Sequence, residues 1–505
     1  MRLRYLRRSP AVMRVMTCYH RPVKRADVVI VGAGLAGLVA AIEARAHDAD
    51  VLVLDKLPDP ARWNAVGPLP GGIGNDTWRS GGGGLARFER DVLVEHLPGG
   101  SDELAAGRDP VDVLLERHME RGEGEINVEL LRTYCNRIFD DCCWLRDEIG
   151  LQYDEARGRN VKDVGIGLFK WLHKTAIERG VRMLFSTRVE SLVFDDAGAV
   201  SGVRASTDGA SFEVAARAVI LATGGFQGNR DMLAKYAGRA LSEDVITVGS
   251  PDNTGDGHRM ALEAGAVMRH LDVCHVRTTD NFFGQGPSRY LLHIYPLGIY
   301  FNRNFERFID EGVEDSDTIA NAIALQPGAI AGLIFDDKAR QKFSEEYNAY
   351  PRREQLICTA GSIAELAARM QVSPEGLGRL VDAFNASVKD EQASGPNLPK
   401  TRSALPIDTP PFHGFYPVRP ALNHTLGGVI VDGASSQVLD ANGRPIAGLF
   451  AAGTLVNWAN GRPLELDGIR SYKGSYHAGA SSGAGIALVS GRLAAQHAVG
   501  MLMNA

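Results

Sequence analysis

The stretch from Ala26 to Lys56 constrains the fold more than any other part of this sequence. It opens with a continuous apolar run, Val28–Val31, which predicts a strand buried on both faces. A glycine-rich turn and a helix-forming run follow, and a second apolar strand, Val51–Leu54, ends at Asp55. Strand, tight turn, helix and strand in this order predict a βαβ unit with parallel strands.

The turn has the spacing Gly-x-Gly-x-x-Gly, and each glycine has its own expected task. Gly32 permits the turn, Gly34 lets a pyrophosphate approach the backbone, and Gly37 lets the helix lie close to the sheet. Asp55 follows the turn at about the sequence separation at which an acid hydrogen-bonds a ribose hydroxyl. Because a helix N-terminus attracts phosphate, the unit predicts a dinucleotide-binding site. The alternative is a βαβ turn without a ligand.

The composition indicates a globular protein of two or three domains. The chain has 505 residues, of which 45% are hydrophobic, and its net charge is −6. This charge does not indicate a nucleic-acid or membrane surface, and no uninterrupted apolar run is long enough to span a bilayer. The six cysteines have no paired metal spacing, so we expect no metal site and a reducing cytoplasm as the compartment.

Residues 1–25 form a basic tail. They contain eight Lys and Arg residues, and the first acid is Asp27. The pair Arg7-Arg8 suggests a twin-arginine export signal, but the long apolar stretch that such a signal needs does not follow. We therefore favour a disordered tail over an export signal.

Later parts of the chain contain further turns of small residues. Four glycines at 81–84 predict a loop whose backbone passes close to a ligand, although a flexible loop without a ligand is the alternative. The alternating stretches 189–194 and 200–205, joined by the turn 195–198, predict a β-hairpin. A strand that ends in Ala222–Gly225 delivers small residues where an open α/β sheet binds ligands. The helix that begins near Ser481 exposes amides suited to an anionic ring edge, or else its small residues serve helix packing.

The order of these patterns predicts an inserted second domain. Residues 26–268 and 406–505 carry the buried strands and glycine-rich turns, which we assign to one nucleotide-binding domain. Residues 269–405 are richer in aromatic, charged and helical segments and are assigned to a cap domain.

Taken together, the motifs resemble the FAD-dependent family of fumarate reductases, succinate dehydrogenase flavoproteins and 3-ketosteroid dehydrogenases. The resemblance implies an α/β fold, with a Rossmann-like FAD-binding domain of the glutathione-reductase type and an inserted α+β cap domain. It also implies that the flavin ring lies between the two. The motifs that carry it, in chain order, are Gly32–Gly37 with Asp55, Ser80–Gly84, Ala222–Phe226, Asn253–Gly257, His424–Gly428 and Ala451–Gly453.

The resemblance implies non-covalent FAD, because Ser80 is followed by glycine and no histidine stands in the context of a covalent flavin link. The residues assigned to FAD are Gly32, Gly34, Leu35, Ala36, Gly37, Asp55, Lys56, Ser80, Gly81, Gly82, Gly83, Val189, Ala222, Thr223, Gly224, Gly225, Asp256, Gly453, Thr454, Ser481, Ser482 and Ile486.

Two resemblances point to different substrates. Cys274–Val276, Tyr295–Ile299 and Arg307–Gly312 are similar to tricarballylate dehydrogenases, which implies α,β-dehydrogenation of a small carboxylic acid. Gly474–Gly479 is similar to the tyrosine-bearing loop of ketosteroid dehydrogenases, which implies desaturation of a cyclic ketone. A flavoprotein that only transfers electrons is the alternative of another class. We prefer the carboxylic acid.

The sequence departs from the fumarate reductases at three places. Their proton-donating arginine would follow Glu311, where this chain has Gly312–Asp315, so fumarate reduction is not expected. Their helix-start arginine is absent, since Ala478 and its neighbours are small. Thr454 stands where the resemblance expects a glutamate.

Removal of hydrogen beside a carbonyl requires a base and polarisation of the carbonyl, and FAD accepts the hydride. The candidates are Tyr476 as base or proton relay, His424 as hydrogen-bond donor to the substrate, and His275 as its partner on the cap. Structural alternatives exist for each, because His424 could cap a turn, His275 could be a core histidine, and Tyr472 lies close to Tyr476.

The substrate class would determine which side chains line the site. A polycarboxylate would need arginines, and a ketosteroid would need an apolar wall. The available arginines are Arg277, Arg289, Arg462 and Arg470, and the available apolar residues are Leu455, Val456, Trp458, Leu464 and Leu466. The expected partners are a small-molecule substrate and an external electron acceptor, either a quinone, a protein or oxygen.

Overall fold

The structure is a computed structural model. It describes residues 25–64, 73–79, 85, 100–122, 127–154, 160–238, 245–279, 296–312, 316–342, 357–395, 398–458, 462–466, 469–473 and 483–503.

Two large sheets dominate the fold. The strands of the first sheet are β1 (Arg25–Val31), β2 (Val51–Leu54), β5 (Arg182–Leu184), β6 (Arg188–Phe194), β7 (Val200–Thr207), β8 (Ala210–Leu221), β19 (Gln437–Leu439) and β20 (Pro445–Ala451). Their order is β19-β20-β8-β1-β2-β5, while β7 pairs with the first half of β8 and β6 pairs with β7.

The strands of the second sheet are β9 (Ile246–Thr247), β11 (Cys274–Thr279), β12 (Ile299–Phe301), β13 (Ala331–Asp336), β14 (Cys358–Ala360) and β17 (Phe412–Thr425). Their order is β11-β17-β13-β12, and β9 and β14 also pair with β17. Short pairs complete the set: β3 (Tyr153–Asp154) with β4 (Asn160–Val161), β10 (Met268–Arg269) with β18 (Gly428–Val429), β15 (Val388–Lys389) with β16 (Gln392–Ala393), and β21 (Arg462–Leu466) with β22 (Ile469–Lys473).

The centre of the first sheet is parallel and buried on both faces. In β1, Val29 lies opposite Leu52 of β2 and Val219 of β8, and all three side chains are fully buried. Because successive side chains point to opposite faces, β1 supplies Ile30 to one core and Val29 to the other. The predicted βαβ unit and the predicted β6–β7 hairpin are both present.

The helices cover the faces of these sheets. They are α1 (Leu35–Ala46), α2 (Asp76–Arg79), α3 (Gly100–Ala105), α4 (Pro110–Gly122), α5 (Val128–Asp147), α6 (Val164–Glu178), α7 (Arg230–Tyr236), α8 (Asp256–Glu263), α9 (Ser316–Ala324), α10 (Asp337–Lys342), α11 (Ile363–Met370), α12 (Pro374–Ser387) and α13 (Gly483–Met503).

Helices α1 and α13 pack closely against each other over the first sheet. A Cβ atom at Gly491 would lie 2.5 Å from the carbonyl oxygen of Ala36, so the crossing requires glycine at that point. Within the described residues, α13 alone has the length and hydropathy of a helix that could cross a membrane, and 56% of that apolar window is buried inside the fold.

The second sheet is formed around the long strand β17. Its residues pair with β11, β13 and β14, and apolar side chains such as Tyr300 and Phe301 of β12 enter cores on opposite faces. Residues 412–425 therefore pair within this sheet, although the sequence assigned 406–505 to the nucleotide-binding domain. The predicted domain boundaries stay a prediction.

A buried group of charges joins α1, α5 and α13. Arg492 bonds Glu43 at 3.0 Å and Asp141 at 2.6 Å, and its guanidinium carbon lies 4.2 Å from the centre of the Trp144 ring. Burial raises the pKa of Asp141 although Arg137 and Arg492 lower it. Asp141 is therefore costly to bury, whereas burial of Glu43 is outweighed by Gln496 and Arg492, which lower its pKa.

Replacement of Arg492 by Met should lower the free energy of unfolding by about 3–5 kcal/mol, because two buried carboxylates lose the cation that bonds both of them. The control is Arg379→Met on α12, where the pair with Glu375 is exposed and worth about 0–1 kcal/mol. Urea-induced unfolding measures both variants, and equal losses would contradict a special role for the buried group.

The substitution Gly491→Ala should lower the free energy of unfolding by about 1–3 kcal/mol, because the added methyl group meets backbone of α1. The same substitution at Gly378 in α12 meets no atom within 4 Å and should stabilise the chain by up to about 1 kcal/mol. Thermal and urea unfolding of the two variants should therefore move in opposite directions.

Candidate functional site

The first glycine-rich turn is fixed by contacts that leave no room for side chains. Gly32 has a φ of +107°, and a Cβ atom there would lie 2.4 Å from the carbonyl oxygen of Ala222. A Cβ atom at Gly37 would lie 1.9 Å from the carbonyl oxygen of Gly32. The end of β1, the end of β8 and the first turn of α1 therefore meet backbone to backbone.

Gly34 is different, because the fold itself does not require glycine there. Its φ is −76°, and among the described residues the Thr77 hydroxyl oxygen, at 3.7 Å, is the one atom within 4 Å of an added Cβ. In the described part of the chain, the Leu35 amide donates to the Thr77 hydroxyl at 2.7 Å, no side chain caps α1 at Gly34, and the first turn has no acid. A helix N-terminus with open backbone at Gly34 and no acid in its first turn suits a pyrophosphate, so this turn fits FAD.

The acid predicted to bind ribose lies beside this turn. The Asp55 carboxylate accepts hydrogen bonds from the amides of Ala33 at 2.7 Å and Leu57 at 2.8 Å. Burial raises the pKa of Asp55, and the two amides partly offset that effect. Each oxygen has a second lone pair, so the carboxylate can hold the turn and still accept from a ribose hydroxyl.

Lys56 and Asp256 form an ion pair at the same end of the site. The Lys56 ammonium lies 2.7 Å from Asp256, and Arg188 approaches the same carboxylate at 2.5 Å. Burial alone would raise the pKa of Asp256, but the bond from Lys56 and the two positive charges lower it. Val189, next to Arg188 in β6, is buried. These predicted residues therefore come together.

The second glycine-bearing turn follows β8. It contains Ala222 and Thr223, and then Gly224 and Gly225. Cβ atoms at Gly224 and Gly225 would lie 2.7 Å from the Asn253 side-chain amide and 2.3 Å from the Thr425 hydroxyl. The turn is thus enclosed by the Asn253–Gly257 motif and by the motif that begins at His424.

The next motif joins β20 to the last helix. The amide of Gly453 donates to the Ser490 hydroxyl at 2.9 Å, and that hydroxyl donates to the carbonyl of Ile486, which is buried in α13. Gly453 also lies close to Ala36 in α1. The turn after β20 therefore connects the starts of α1 and α13, together with Leu35, which is buried at the start of α1.

The start of α13 meets the candidate catalytic histidines. A Cβ atom at Gly483 would lie 3.5 Å from Cε1 of His424 and 3.9 Å from the Thr454 methyl carbon. The His424 ring is 4.9 Å from the His275 ring, with 50° between their planes. His275 lies directly opposite His424 in the pairing of β11 with β17. The structure thus brings Thr454, His424 and His275 together at one helix N-terminus.

Asn423 sets the hydrogen-bonding state of His275. Its side-chain Nδ2 lies 3.2 Å from His275 Nδ1. Because an amide nitrogen only donates, Nδ1 accepts this bond, and the proton of a neutral His275 is placed on Nε2.

A polar segment missed in the sequence joins these motifs. Asn75 donates to the carbonyl of Ala33 at 3.0 Å, and the Thr77 hydroxyl accepts from the amide of Leu35 at 2.7 Å. Between them, Asp76 bonds the turns beyond β8. A polar run, Asn75–Thr77, just before the four-glycine loop was the available signal, but its partners are distant in sequence.

Several predicted residues lie outside the residues that the structure describes. They are Ser80, Gly81, Gly82, Gly83, Tyr476, Ser481 and Ser482. Their roles, and the roles of the other candidate residues, stay predictions.

Comparison with known proteins identifies the family. A family model described as an FAD binding domain matches residues 27–63 and 146–468. A relative named "Probable fumarate reductase Ifc3", from Shewanella frigidimarina, is 28% identical over 459 residues, which cover 87% of this chain and 71% of the relative.

Two solved structures are also similar. An open flavocytochrome c3 fumarate reductase has a TM-score of 0.67 at 25% identity, covering 97% of this chain and 81% of that one. A 3-ketosteroid-Δ4-(5α)-dehydrogenase from Rhodococcus jostii has a TM-score of 0.65 at 24% identity, covering 95% and 99%, and shows a likeness of fold.

These matches confirm the predicted α/β fold with an FAD domain and cap, and they confirm FAD as the cofactor. The chain belongs to the FAD binding domain family and is an FAD-dependent oxidoreductase.

Proposed function

We propose that this enzyme acts on a CH–CH bond and forms a double bond next to the carboxylate of a small carboxylic acid. The observation that carries the proposal is the meeting of His275 and His424 at the N-terminus of α13. Two imidazoles beside a positive helix end suit an anionic oxygen of a substrate. The similar fumarate reductase supports chemistry on a carbon–carbon bond between carboxylates.

Among the described residues, the two histidines supply hydrogen-bond donors and not the base that removes the α-proton. With its Nδ1 accepting from Asn423, His275 presents Nε2–H, which donates to a carbonyl or carboxylate oxygen. Such a bond polarises the carbonyl and makes the adjacent proton more acidic. His424, opposite His275, is the proposed second donor.

FAD, when bound, would accept the hydride from the β-carbon of the substrate. We assign removal of the α-proton to Tyr476, on the sequence resemblance alone. An ordinary tyrosine has a pKa of about 10, so this role needs positive charge or a helix N-terminus nearby. Glu311 is followed by Gly312 instead of leading to the arginine that donates a proton in fumarate reductases, which supports dehydrogenation over reduction.

Recognition of further carboxylates would require arginines near the two histidines. Strand β22, which includes Arg470, lies beside α9 and β11, and β11 includes His275 and Arg277. This placement supports a substrate with more than one carboxylate. The electron acceptor is proposed to be external to the chain, and the compartment is proposed to be the cytoplasm.

Anaerobic mixing of the purified holoenzyme with candidate substrates tests the substrate class. Tricarballylate and related small polycarboxylates should bleach the flavin absorbance near 450 nm, as expected of a reduced flavin. Bleaching by 3-ketosteroids alone would replace the proposal with the cyclic-ketone alternative. A flavin that no compound reduces, but that a reduced electron carrier does reduce, would favour an electron-transfer protein.

Replacement of His424 by Leu should slow flavin reduction by a carboxylic acid about 10²- to 10⁴-fold, because a placed donor is lost from the substrate site. The matched control is His413→Leu on the same strand, β17, where His413 lies 3.0 Å from the Thr359 hydroxyl in the cap. Stopped-flow reduction should be nearly unchanged in this control. Equal rates in the His424 variant and the native enzyme would remove His424 from the site.

Asn423→Leu tests the orientation of His275. The substitution removes the donor to Nδ1, so His275 can adopt the other tautomer and lose Nε2–H. We expect kcat to fall about 10-fold or more with FAD content unchanged, measured by steady-state kinetics and flavin absorbance. An unchanged kcat would show that Asn423 does not orient His275.

A further inference from the structure

Asp76 lies at the centre of a buried polar group that connects three parts of the FAD site. Its Oδ2 accepts from Gln227 Nε2 at 2.9 Å and from Asn253 Nδ2 at 2.5 Å, and its Oδ1 accepts from the amide of Ser250. The neighbouring residues Asn75 and Thr77 bond the first glycine-rich turn. One short segment thus connects the first glycine-rich turn, 42 residues before it, with residues that lie 151 to 177 positions after Asp76.

Both side chains held by Asp76 lie against the second glycine turn, where the Thr425 hydroxyl also approaches Gly225. A Cβ atom at Gly224 would lie 2.7 Å from Asn253 Nδ2, and one at Gly225 would lie 2.7 Å from Gln227 Oε1. A single carboxylate oxygen therefore fixes both amides against the Gly224–Gly225 backbone. If either amide rotated away, this wall of the site would lose its support.

This arrangement does not favour stability by itself. Burial raises the pKa of Asp76 to about 6, and the bonds from Ser250 and Gln227 offset only part of that effect. The charged groups near it are Arg79 on α2 and Asp252, which interacts with Arg79. Folding therefore works against the ionised carboxylate at neutral pH, and groups kept at such a cost are common at functional sites.

We propose that Asp76 is a positioning residue for FAD. It holds Gln227 and Asn253 against the Gly224–Gly225 turn and so keeps that wall of the cofactor site in place. The proposal rests on the proposed role of Gly224 and Gly225 in binding FAD. It does not depend on the substrate.

The substitution Asp76→Asn tests the clamp with little change of shape. Asn presents one acceptor oxygen and one N–H₂ group. The Gln227 Oε1 atom has no hydrogen-bond partner among the described residues, so rotation of the Gln227 amide can accommodate that group. The variant should therefore fold, while the two amides are no longer held by one oxygen.

The matched control is Asp336→Asn. Asp336 is a buried carboxylate of the cap that, like Asp76, accepts three N–H groups, here the backbone amides of Ala339, Asp408 and Thr409, and Lys338 lies 3.3 Å from it. Release of FAD from the holoenzyme of the 505-residue chain is followed by flavin fluorescence after dilution, under conditions where far-ultraviolet circular dichroism is unchanged. Asp76→Asn should release FAD at least 10-fold faster, whereas Asp336→Asn should release it at the native rate.

The pH profile of FAD release separates positioning from a general loss of structure. Protonation replaces one acceptor site of Asp76 by an O–H donor and removes the negative charge, so the hydrogen bonds from the three N–H groups facing it become weaker. Release from the native enzyme should quicken as the pH falls through about 6, and the profile of Asp76→Asn should be flat over that range. Should Asp76→Asn not fold, Gln227→Met removes one clamped amide and should give an intermediate release rate.

Native release rates in Asp76→Asn, or a native pH dependence in that variant, would overturn the proposal. Because the assay contains no substrate, its result is independent of the test of the reaction. A native enzyme without flavin would instead contradict the FAD assignment itself.

Discussion

The fold depends on backbone contacts between turns that lie far apart in the chain. At Gly32 and Gly491, a methyl group would lie within 3 Å of the carbonyl oxygens of Ala222 and Ala36, and at Gly224 it would lie 2.7 Å from the Asn253 side chain. The two backbone contacts have almost no tolerance, because proteins pack at the density of crystals and backbone cannot move aside. Helices α1 and α13 and the turn after β8 are brought together in this way.

Buried acids also hold the turns in place, through hydrogen bonds and ion pairs. The N-terminus of α1 carries no acid in its first turn, whereas Asp55, Asp76 and Asp256 surround the motifs and are held by amides or cations. Acids used as hydrogen-bond acceptors for backbone and side-chain N–H groups position the turns, but burial raises the pKa of Asp55 and Asp76. The site is thus rigid at some cost to stability, a balance often found where function requires preorganisation.

Sequence patterns predicted the elements whose structure depends on residues close together in the chain. The β1–turn–α1–β2 unit and the β6–β7 hairpin follow from apolar periodicity and turn residues within about 30 positions. The family resemblance supplied FAD and the cap. It also singled out His275 and His424, which the pairing of β11 with β17 places side by side.

What the sequence could not predict depends on contacts between distant segments. Nothing local indicates that Asn75, Asp76 and Thr77 bond three different motifs, or that Asn423 orients His275. The long strand Phe412–Thr425 also lies in the second sheet because of its partners, not because of its own pattern. Such roles arise from tertiary hydrogen bonds, which single-sequence periodicity does not contain.

An experimental structure of the holoenzyme at a resolution that shows FAD is the most direct test of this account. It should show one extended FAD per chain, with the pyrophosphate at the Gly34 amide and the start of α1, and the flavin ring beside Gly483 and His424. FAD bound elsewhere, or glycine-bearing turns that do not contact it, would contradict the account.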